Sequence, residues 1–332
     1  MEENSMKKII ILVAAFVFGS ATLASAQDFL TINPDARTAG MGDASVATSS
    51  GEYAIFNNAA ASLFDYNRFR VGFSYTPWMN DYKKGYNMYS LGGFFSINQK
   101  HSISFGARVY NEPKINSTTA AGTDFPFNPT DENGNPIDDF ASFRPLSFSA
   151  DLAYSFMLGD YVGLAVTGRY VESKYGDLAT NSAVGFDVAA YSQIPLDVML
   201  DGAWISVAAK VSDIGFALGD SKYDMPLRAN IGAALYAPLT DSHSIEGTVD
   251  LGYRFMPSIN QSFGLAIGAE YTAMDLISVR AGYHVADDKG YNYTTVGVGI
   301  RFMHVNIDAS YLAADKDCPW RNTYRIGVGL YF

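Results

Sequence analysis

Most of the chain consists of segments in which apolar residues alternate with small or polar residues. A period of two gives a β-strand one apolar face and one polar face. In the first of these segments, Phe69, Val71 and Phe73 share the apolar face. Arg70 and Gly72 lie on the opposite face. This pattern is typical of strands that contact lipid on one side and water on the other.

Runs of this kind predict about fourteen strands, an even number of the sort found in bacterial outer-membrane barrels. Such barrels have short periplasmic turns and long external loops. The connections between the runs mostly alternate in this way, except that 194–202, with Pro195, is longer than the other connections on the short side. The longest connection, 111–144, follows the third run and contains the turn signal Asn133-Gly134-Asn135. The predicted strands are 68–75, 86–97, 101–110, 145–156, 161–172, 182–193, 203–213, 225–236, 243–253, 261–271, 276–284, 293–302, 304–311 and 323–332.

These runs indicate an all-β protein, a transmembrane antiparallel β-barrel of about fourteen strands over residues 68–332. No apolar stretch after residue 26 has the ~20 residues that a spanning helix needs. In lipid every backbone N–H and C=O must be paired internally, so a membrane protein without helices must be a closed barrel. A soluble β-sandwich is the alternative, but its outward strand faces would be polar.

The final run ends on an aromatic residue. Tyr324, Leu330 and Phe332 lie on its apolar face. A terminal Phe preceded by alternating apolar residues is the pattern that the outer-membrane assembly machinery recognises, and we therefore interpret these three residues as an assembly signal.

The first 26 residues have the layout of a secretory signal peptide. Lys7 and Lys8 precede an apolar run over residues 9–18, and small residues at 24–26 predict cleavage before Gln27. A membrane anchor is the alternative, but the apolar run is only about half of the ~20 residues required. No cysteine for lipid attachment lies near the cleavage site. We expect an outer-membrane protein with both termini in the periplasm.

Residues 27–67 precede the first strand and are rich in Gly, Ala, Ser and Asn. Two interpretations are open, a periplasmic arm and a plug folded into the lumen. A lumen this wide is filled with water unless loops or an inserted segment fill it. We therefore favour a short N-terminal plug in the lumen.

Composition and charge narrow the classes of partner. The formal net charge is −11, from 23 basic and 34 acidic residues, which argues against nucleic acid as a partner because phosphate binding relies on clustered Lys and Arg. The single cysteine, Cys318, cannot form a disulfide within the chain. Aromatic residues make up 14% of the chain, which fits a barrel with aromatic girdles in contact with outer-membrane lipid.

Two stretches of the N-terminal region resemble a known family. They are 35–44, which contains Gly40, Met41 and Gly42, and 53–60, which contains Asn57 and Asn58. With further short matches up to Asn322-Thr323-Tyr324-Arg325, they make the chain similar to the PorV/PorQ family of Bacteroidetes outer-membrane proteins, and closest to PorV. We interpret these five residues as the motif of the plug.

The resemblance implies a FadL-like barrel of fourteen strands with a luminal N-terminal segment. It also implies a role in the type IX secretion system, in which such barrels associate with the large translocon barrel. They accept secreted cargo proteins through a C-terminal signal domain and pass them to a surface attachment complex. One departure is clear, because the Asn-Pro-Ala found widely in FadL-like plugs is here Asn57-Asn58-Ala59, without a fixed proline turn.

Enzymatic chemistry has little support in the sequence. The mature chain has no metal-ligand cluster, no Gly-rich phosphate loop and no Gly-x-Ser-x-Gly elbow. His284, with Asp287 and Asp288 nearby, is the one candidate for catalysis at the outer rim, and solvated loop residues are the alternative reading. We expect a protein that is not an enzyme and that binds no cofactor or metal.

Charged residues of both signs fall on the polar, inward face of the strands. They favour a paired, hydrogen-bonded lumen, and a polar path for a small solute is the alternative. The residues are Arg108, Asp151, Arg169, Asp187, Lys210, Arg228, Glu246, Asp250, Glu270 and Arg280.

Aromatic residues in the external loops are candidates for partner binding. Trp78, Phe125, Phe127 and Trp320 fall in or beside these loops. Aromatic side chains are favoured anchors at protein interfaces. Together with these candidates, the family resemblance implies a type IX secretion barrel that binds cargo or translocon. A FadL-like channel for hydrophobic small molecules is the alternative, and a purely structural barrel is a third.

Overall fold

The computed structural model describes residues 28–81, 83–116, 142–175, 179–196, 201–219, 224–287 and 289–332. Among these residues, fourteen strands form a closed antiparallel barrel, and two further strands, β4 and β5, pair only with each other. The barrel strands are β1 Phe69–Trp78, β2 Tyr86–Asn98, β3 His101–Asn111, β6 Leu146–Leu158, β7 Val162–Tyr175, β8 Ala179–Pro195, β9 Trp204–Leu218, β10 Arg228–Thr240, β11 His243–Arg254, β12 Ser262–Ala273, β13 Ile277–Ala286, β14 Tyr293–Phe302, β15 Val305–Ala314 and β16 Thr323–Tyr331.

The remaining elements are short. β4 is Ile115–Asn116 and β5 is Ser142–Phe143. A helical turn, α1, covers Ala36–Ala39, and 3₁₀ turns cover Asp28–Thr31, Ala59–Phe64, Ser258–Asn260 and Lys289–Tyr291. None of the described helices is long and apolar enough to cross a membrane. The predicted signal peptide, residues 1–26, lies outside the described residues.

Each predicted run lies on a barrel strand, so the all-β, fourteen-strand prediction is confirmed. The differences are at the strand ends. β9 continues past the predicted end at 213 to Leu218, and β10 begins at Arg228 rather than at 225. Met225 is apolar but packs in a buried cluster instead of extending the strand.

The barrel closes by pairing its first and last strands. Arg70 lies opposite Tyr331 in the β1–β16 register. Phe69 N donates to Phe332 O at 3.0 Å, and Phe332 N donates to Phe69 O at 2.9 Å. Every barrel strand therefore has a neighbour on both sides, and the ladder leaves no unpaired edge in contact with lipid.

The two faces of the strands differ as the alternation predicts. Leu152 and Val298 point outward and are 62% and 55% exposed. Ser104 and Arg325 point inward and are almost fully buried. An exposed apolar outer surface around a closed barrel is the arrangement of a membrane-spanning barrel rather than of a soluble sandwich.

The barrel has two distinct ends. At one, which we call the short-turn end, all connections but 196–203 have two or three residues, and Phe332 lies beside Phe69. At the other, the long-loop end, the connections are mostly longer, as the alternation of loop lengths predicts. The short-turn connections are 99–100, 159–161, 196–203, 241–242, 274–276 and 303–304, and the long-loop connections include 79–85, 112–145, 219–227, 255–261, 287–292 and 315–322.

Candidate functional site in the barrel lumen

Residues 28–67, which we call the N-terminal segment, contact the inward side of strands around the whole barrel. The 3₁₀ turn Ala59–Phe64 contacts β2, β3, β6, β7 and β8. The turn α1 contacts β14, β15 and β16 on the other part of the wall. Because it touches inward faces on both sides, the segment lies within the lumen.

The N-terminal segment runs along the lumen from one end to the other. Asp28 pairs with Arg254, the last residue of β11, at the long-loop end. Asp65 pairs with Arg70 near the start of β1, at the short-turn end, with a separation of 2.7 Å. The first described residue and Phe332 thus lie at opposite ends of the barrel, which differs from the prediction that both termini lie on one side.

Arg37 of α1 fastens the segment to the wall. Asp35 caps this turn, its Oδ1 accepting a hydrogen bond from Arg37 N at 2.9 Å. The Arg37 guanidinium donates to both carboxylate oxygens of Glu270, at 3.0 and 2.9 Å, and to Glu246 at 2.8 Å. Although burial lowers it, the pKa of Arg37 is held well above its ordinary value by these two carboxylates.

Neighbouring wall residues extend this network. Arg280 on β13 pairs with Glu270 and with Asp308 on β15, the latter at 2.6 Å. Asn306 Nδ2 donates to Glu52 Oε1 at 2.8 Å. Burial raises the pKa of the Glu52 carboxyl, which the hydrogen bond from Asn306 opposes. The network therefore joins the segment to several strands through buried polar contacts.

The Gly40-Met41-Gly42 motif packs against glycines of the wall. A Cβ on Gly40 would lie 3.0 Å from Gly297 Cα, and one on Gly42 would lie 2.8 Å from two wall carbonyl oxygens. Gly42 also has a φ of +73°, which disfavours other residues. On the wall side, a Cβ on Gly282 would overlap the backbone of Met41 and Gly42. The two backbones meet only because both sides carry glycine.

Asn57 and Asn58 connect separate parts of the segment. Asn57 Nδ2 donates to Asp35 Oδ2 at 2.9 Å. Asn58 caps the following 3₁₀ turn by accepting from Ala60 N, and its Nδ2 donates to Ala190 O on β8 at 3.0 Å. The φ of Asn58 is −152°, which a proline ring does not allow. With Asn58 in place of proline, the backbone here adopts a conformation that proline cannot, and the side chain adds a contact to the wall.

A second charged network lies on the opposite wall. Arg169 on β7 pairs with Asp151, Asp187 and Asp213. Lys210 on β9 pairs with Asp187 at 3.2 Å. Two further ion pairs extend the network. Arg228 pairs with Asp213 at 2.9 Å, and Arg108 pairs with Asp151 at 3.6 Å.

The interpretation of a paired lumen is confirmed for the inward charges that the sequence identifies. All but Asp250 form ion pairs with other described residues. Asp250 instead accepts hydrogen bonds from Ser45 N and Val46 N, at 2.6 and 2.7 Å. The carboxylate thus binds the backbone of the N-terminal segment.

Two acidic members of these networks were missed from sequence. Alternation along β9 places residue 213 on the outer face, but a bulge in the β8–β9 ladder and a positive φ of 62° turn Asp213 inward. Asp308 lies on the inward face of β15, as alternation along the strand predicts. In the barrel it lies opposite Gly299 and beside Arg280. Its inward position in the alternation was the signal that could have identified it.

The segment leaves two cavities in the described part of the lumen. One, of about 210 Å³, lies toward the short-turn end and is lined by residues such as Glu52, Thr272 and Asn306. The other, of about 400 Å³, lies toward the long-loop end, and we call it the mouth cavity. Residues of the segment separate them, and no lining residue is shared. The N-terminal segment thus lies between these two spaces.

Aromatic residues surround the mouth cavity. The rings of Trp78 and Trp320 stack with centroids 6.2 Å apart, and Tyr291 stacks on Trp320 at 5.0 Å. Arg325 lies 5.6 Å from the Trp78 ring centroid. Trp78 is the last residue of β1 rather than a loop residue, and both tryptophans are half-buried.

The other predicted docking residues, Phe125 and Phe127, lie outside the described residues. Those of the predicted assembly signal, Tyr324, Leu330 and Phe332, point outward and are exposed on the barrel surface.

His284 borders the mouth cavity, and its ring stacks on Tyr293 with centroids 4.7 Å apart. Its Nδ1 is 3.3 Å from Gly42 O. Asp287 accepts from Phe263 N, and Asp288 lies outside the described residues. Within the described ranges, no group of three or more His, Cys, Asp or Glu side chains is placed to hold a metal ion. His284 therefore contacts Tyr293 of the wall and the backbone of the N-terminal segment.

Comparison with known proteins bears on both fold and family. The family model described as type IX secretion system protein PorV matches residues 19–261 of the chain. None of the curated proteins searched matches the chain.

Solved structures of hydrocarbon channels share the fold. The TodX deltaS2S3 mutant, a monoaromatic hydrocarbon channel, is 12% identical with a TM-score of 0.53, over 89% of this chain and 97% of that chain. The toluene transporter TodX of Pseudomonas putida is 12% identical with a TM-score of 0.50, over 89% and 95%. The CymD monoaromatic hydrocarbon channel is 9% identical with a TM-score of 0.50, over 89% and 96%. These likenesses agree with the FadL-like barrel implied by the resemblance.

Proposed function

Because the chain belongs to the family of the type IX secretion system protein PorV, we propose that it is a non-enzymatic outer-membrane component of that system. In this role it binds the C-terminal signal domains of secreted cargo proteins, the large translocon barrel, or both, and passes cargo to a surface attachment complex. The family match over residues 19–261 carries this proposal.

The contents of the lumen support a binding role over conduction. The N-terminal segment occupies the lumen and is held by the Arg37 contacts to Glu246 and Glu270. The charged side chains of the opposite wall form ion pairs with one another around Arg169. A solute would have to displace buried ion pairs, and breaking one such pair typically costs about 3–5 kcal/mol.

The orientation follows from the loop lengths. Short turns of outer-membrane barrels face the periplasm and long loops face outward. The short-turn end, with Phe332, is then periplasmic, and the mouth cavity opens to the cell exterior. Partners on the cell surface approach the aromatic cluster of Trp78, Tyr291 and Trp320, along with Phe125 and Phe127 of the longest loop.

The proposal is tested by purifying the tagged protein from detergent-solubilised membranes and identifying the proteins that accompany it. We expect a very large barrel protein and cargo signal domains. Recovery should fall in a Trp78→Ala, Trp320→Ala double variant and in Phe125→Ser, Phe127→Ser. Trp204→Ala is the matched control, because this tryptophan stacks on Tyr236 at the short-turn end, where centroids are 3.8 Å apart.

Two results would contradict the proposal. One is wild-type protein that carries neither a translocon barrel nor cargo. The other is an equal loss of partner in the mouth variants and in Trp204→Ala, which would indicate damage to the barrel rather than to a docking surface.

A channel for hydrophobic small molecules is the second candidate function. The aromatic side chains Trp78, Tyr291 and Trp320 in the lining of the mouth cavity favour it, since ligand pockets combine apolar and aromatic side chains with a few polar groups. Organic extraction of the purified barrel distinguishes the two. A single fatty or aromatic compound in stoichiometric amount, without protein partners, would favour the channel.

A further inference from the structure

The first described residues form a strap across the long-loop end of the barrel. We define the strap as Asp28–Ile32. The Phe29 ring stacks on Tyr110, with centroids 6.0 Å apart and planes 9° from parallel. Leu30 O accepts a hydrogen bond from Arg108 Nη1 at 3.0 Å. The Asp28 carboxylate pairs with Arg254. Side-chain stacking, a backbone carbonyl and an ion pair thus hold the strap at three points.

Burial supports the strap as a built part of the structure. Phe29, Leu30 and Ile32 are almost fully buried, in a cluster that includes Met88 and Val171 at the long-loop ends of their strands. Asp28 is different, because its side chain is 58% exposed. The strap is therefore anchored by its apolar residues, and its first residue faces solvent at the mouth.

From these contacts we propose that the N-terminus of the mature protein is displayed on the extracellular face of the barrel. This inference rests on the orientation given under the proposed function. The chain then enters the lumen from outside, descends past Arg37, and leaves beside Asp65 at the periplasmic end.

The strap also borders the mouth cavity. Leu30, Thr31 and Ile32 line this cavity together with Trp78 and Trp320. The strap therefore lies at the same end of the barrel as the opening of the cavity.

Cysteine labelling on intact cells tests this proposal. In a Cys318→Ser background, Asp28→Cys is treated with a membrane-impermeant maleimide before and after the outer membrane is permeabilised. Lys316→Cys in a long loop and Asp160→Cys in a short turn are the matched controls, and all three positions are exposed. We expect Asp28→Cys and Lys316→Cys to be labelled on intact cells, and Asp160→Cys only after permeabilisation.

Because Asp28→Cys removes the ion pair with Arg254, a second variant keeps the strap unchanged. It carries a short epitope between Ala26 and Gln27, and antibody binding to intact cells is measured. Asp28→Cys that labels only after permeabilisation, or an epitope hidden on intact cells, would overturn the proposal.

Failure of the proposed function has a different signature, because the absence of co-purified partners leaves the labelling pattern on intact cells unchanged.

Discussion

Arg37 and Glu270 form an ion pair with two hydrogen bonds between the N-terminal segment and the barrel wall. Arg37 Nε and Nη2 lie 3.0 and 2.9 Å from the two carboxylate oxygens. The residues are separated by 233 positions in the sequence. Planar, two-point pairing of this kind fixes orientation as well as distance. The pair therefore sets where α1 sits along the lumen.

Replacing Arg37 with Ala should release the segment. The change leaves Glu246 and Glu270 buried with one fewer cation between them, and breaking a buried pair costs about 3–5 kcal/mol. Because each ~1.4 kcal/mol is a factor of ten, the segment should open at least about a hundredfold more often. Chymotrypsin cleavage between residues 28 and 67 in detergent measures this opening.

Lys174→Ala is the control for Arg37→Ala. Lys174 pairs with Glu172 at 3.1 Å, but its side chain is exposed, and exposed pairs contribute about 0–1 kcal/mol. Cleavage in this variant should match the wild type. An Arg37→Ala protein that resists chymotrypsin equally well would show that the pair does not hold the segment.

The barrel was predictable because strand alternation is a local property. Each strand repeats its pattern over many residues, so one ambiguous position does not change the outcome. The strand ends were less predictable because side chains there stop alternating between lipid and lumen. Met225 shows the limit, since it is apolar in sequence but belongs to a cluster at the long-loop end and not to β10.

Asp213 shows where alternation fails. A β-bulge adds one residue to one strand, so the side chains that follow lie on the opposite face from the one that alternation predicts. Nothing in the local sequence of β9 marks this bulge. Its cause is visible only across strands, where Asp187 Oδ1 accepts from Asp213 N at 2.9 Å.

The path of the N-terminal segment could not be derived from its own sequence. Its contacts are with residues far along the chain, such as Glu246 and Asp250, and the segment has no regular period. The available signal was indirect. Inward glycines such as Gly282 and Gly297 leave space on the wall that an inserted backbone fills.

Gly282→Ala should displace the segment because the new Cβ overlaps the Met41 and Gly42 backbone. Overpacking of this kind costs about 1–3 kcal/mol. Arg37 is the one basic residue between positions 28 and 67, so trypsin cleavage after it reports the opening. We expect faster cleavage in Gly282→Ala. Gly168→Ala, where a Cβ meets nothing within 4 Å, should behave as the wild type. Equal rates in the two variants would count against the glycine contact.

Substitutions at Asn58 should separate its two roles. Ser keeps an acceptor for Ala60 N but loses the donor to Val46 O and Ala190 O. Ala also loses the cap, which is worth about 1 kcal/mol. Pro additionally requires a φ near −65° in place of −152°. Trypsin cleavage after Arg37 should therefore increase in the order Asn, Ser, Ala, Pro. A proline variant as resistant as the wild type would show that the backbone adapts freely.

Deleting residues 28–64 should convert the barrel into an ion-conducting pore. The segment separates the mouth cavity from the cavity near Glu52 and Asn306, so its removal joins the two spaces. A barrel of about fourteen strands is wider than the eight-stranded barrels that side chains alone can fill. Single-channel recording in planar bilayers should show large, long-lived openings for the deletion and little conductance for the whole protein.

The Arg37→Ala variant gives a second conductance test, which does not require the deletion variant to assemble. This variant keeps the full chain and loosens the segment, so it should give brief openings of the same size as those of the deletion. Lys174→Ala should stay closed. If the whole protein already conducts as well as the deletion, the segment does not close the lumen, and the case for a binding component over a channel is lost.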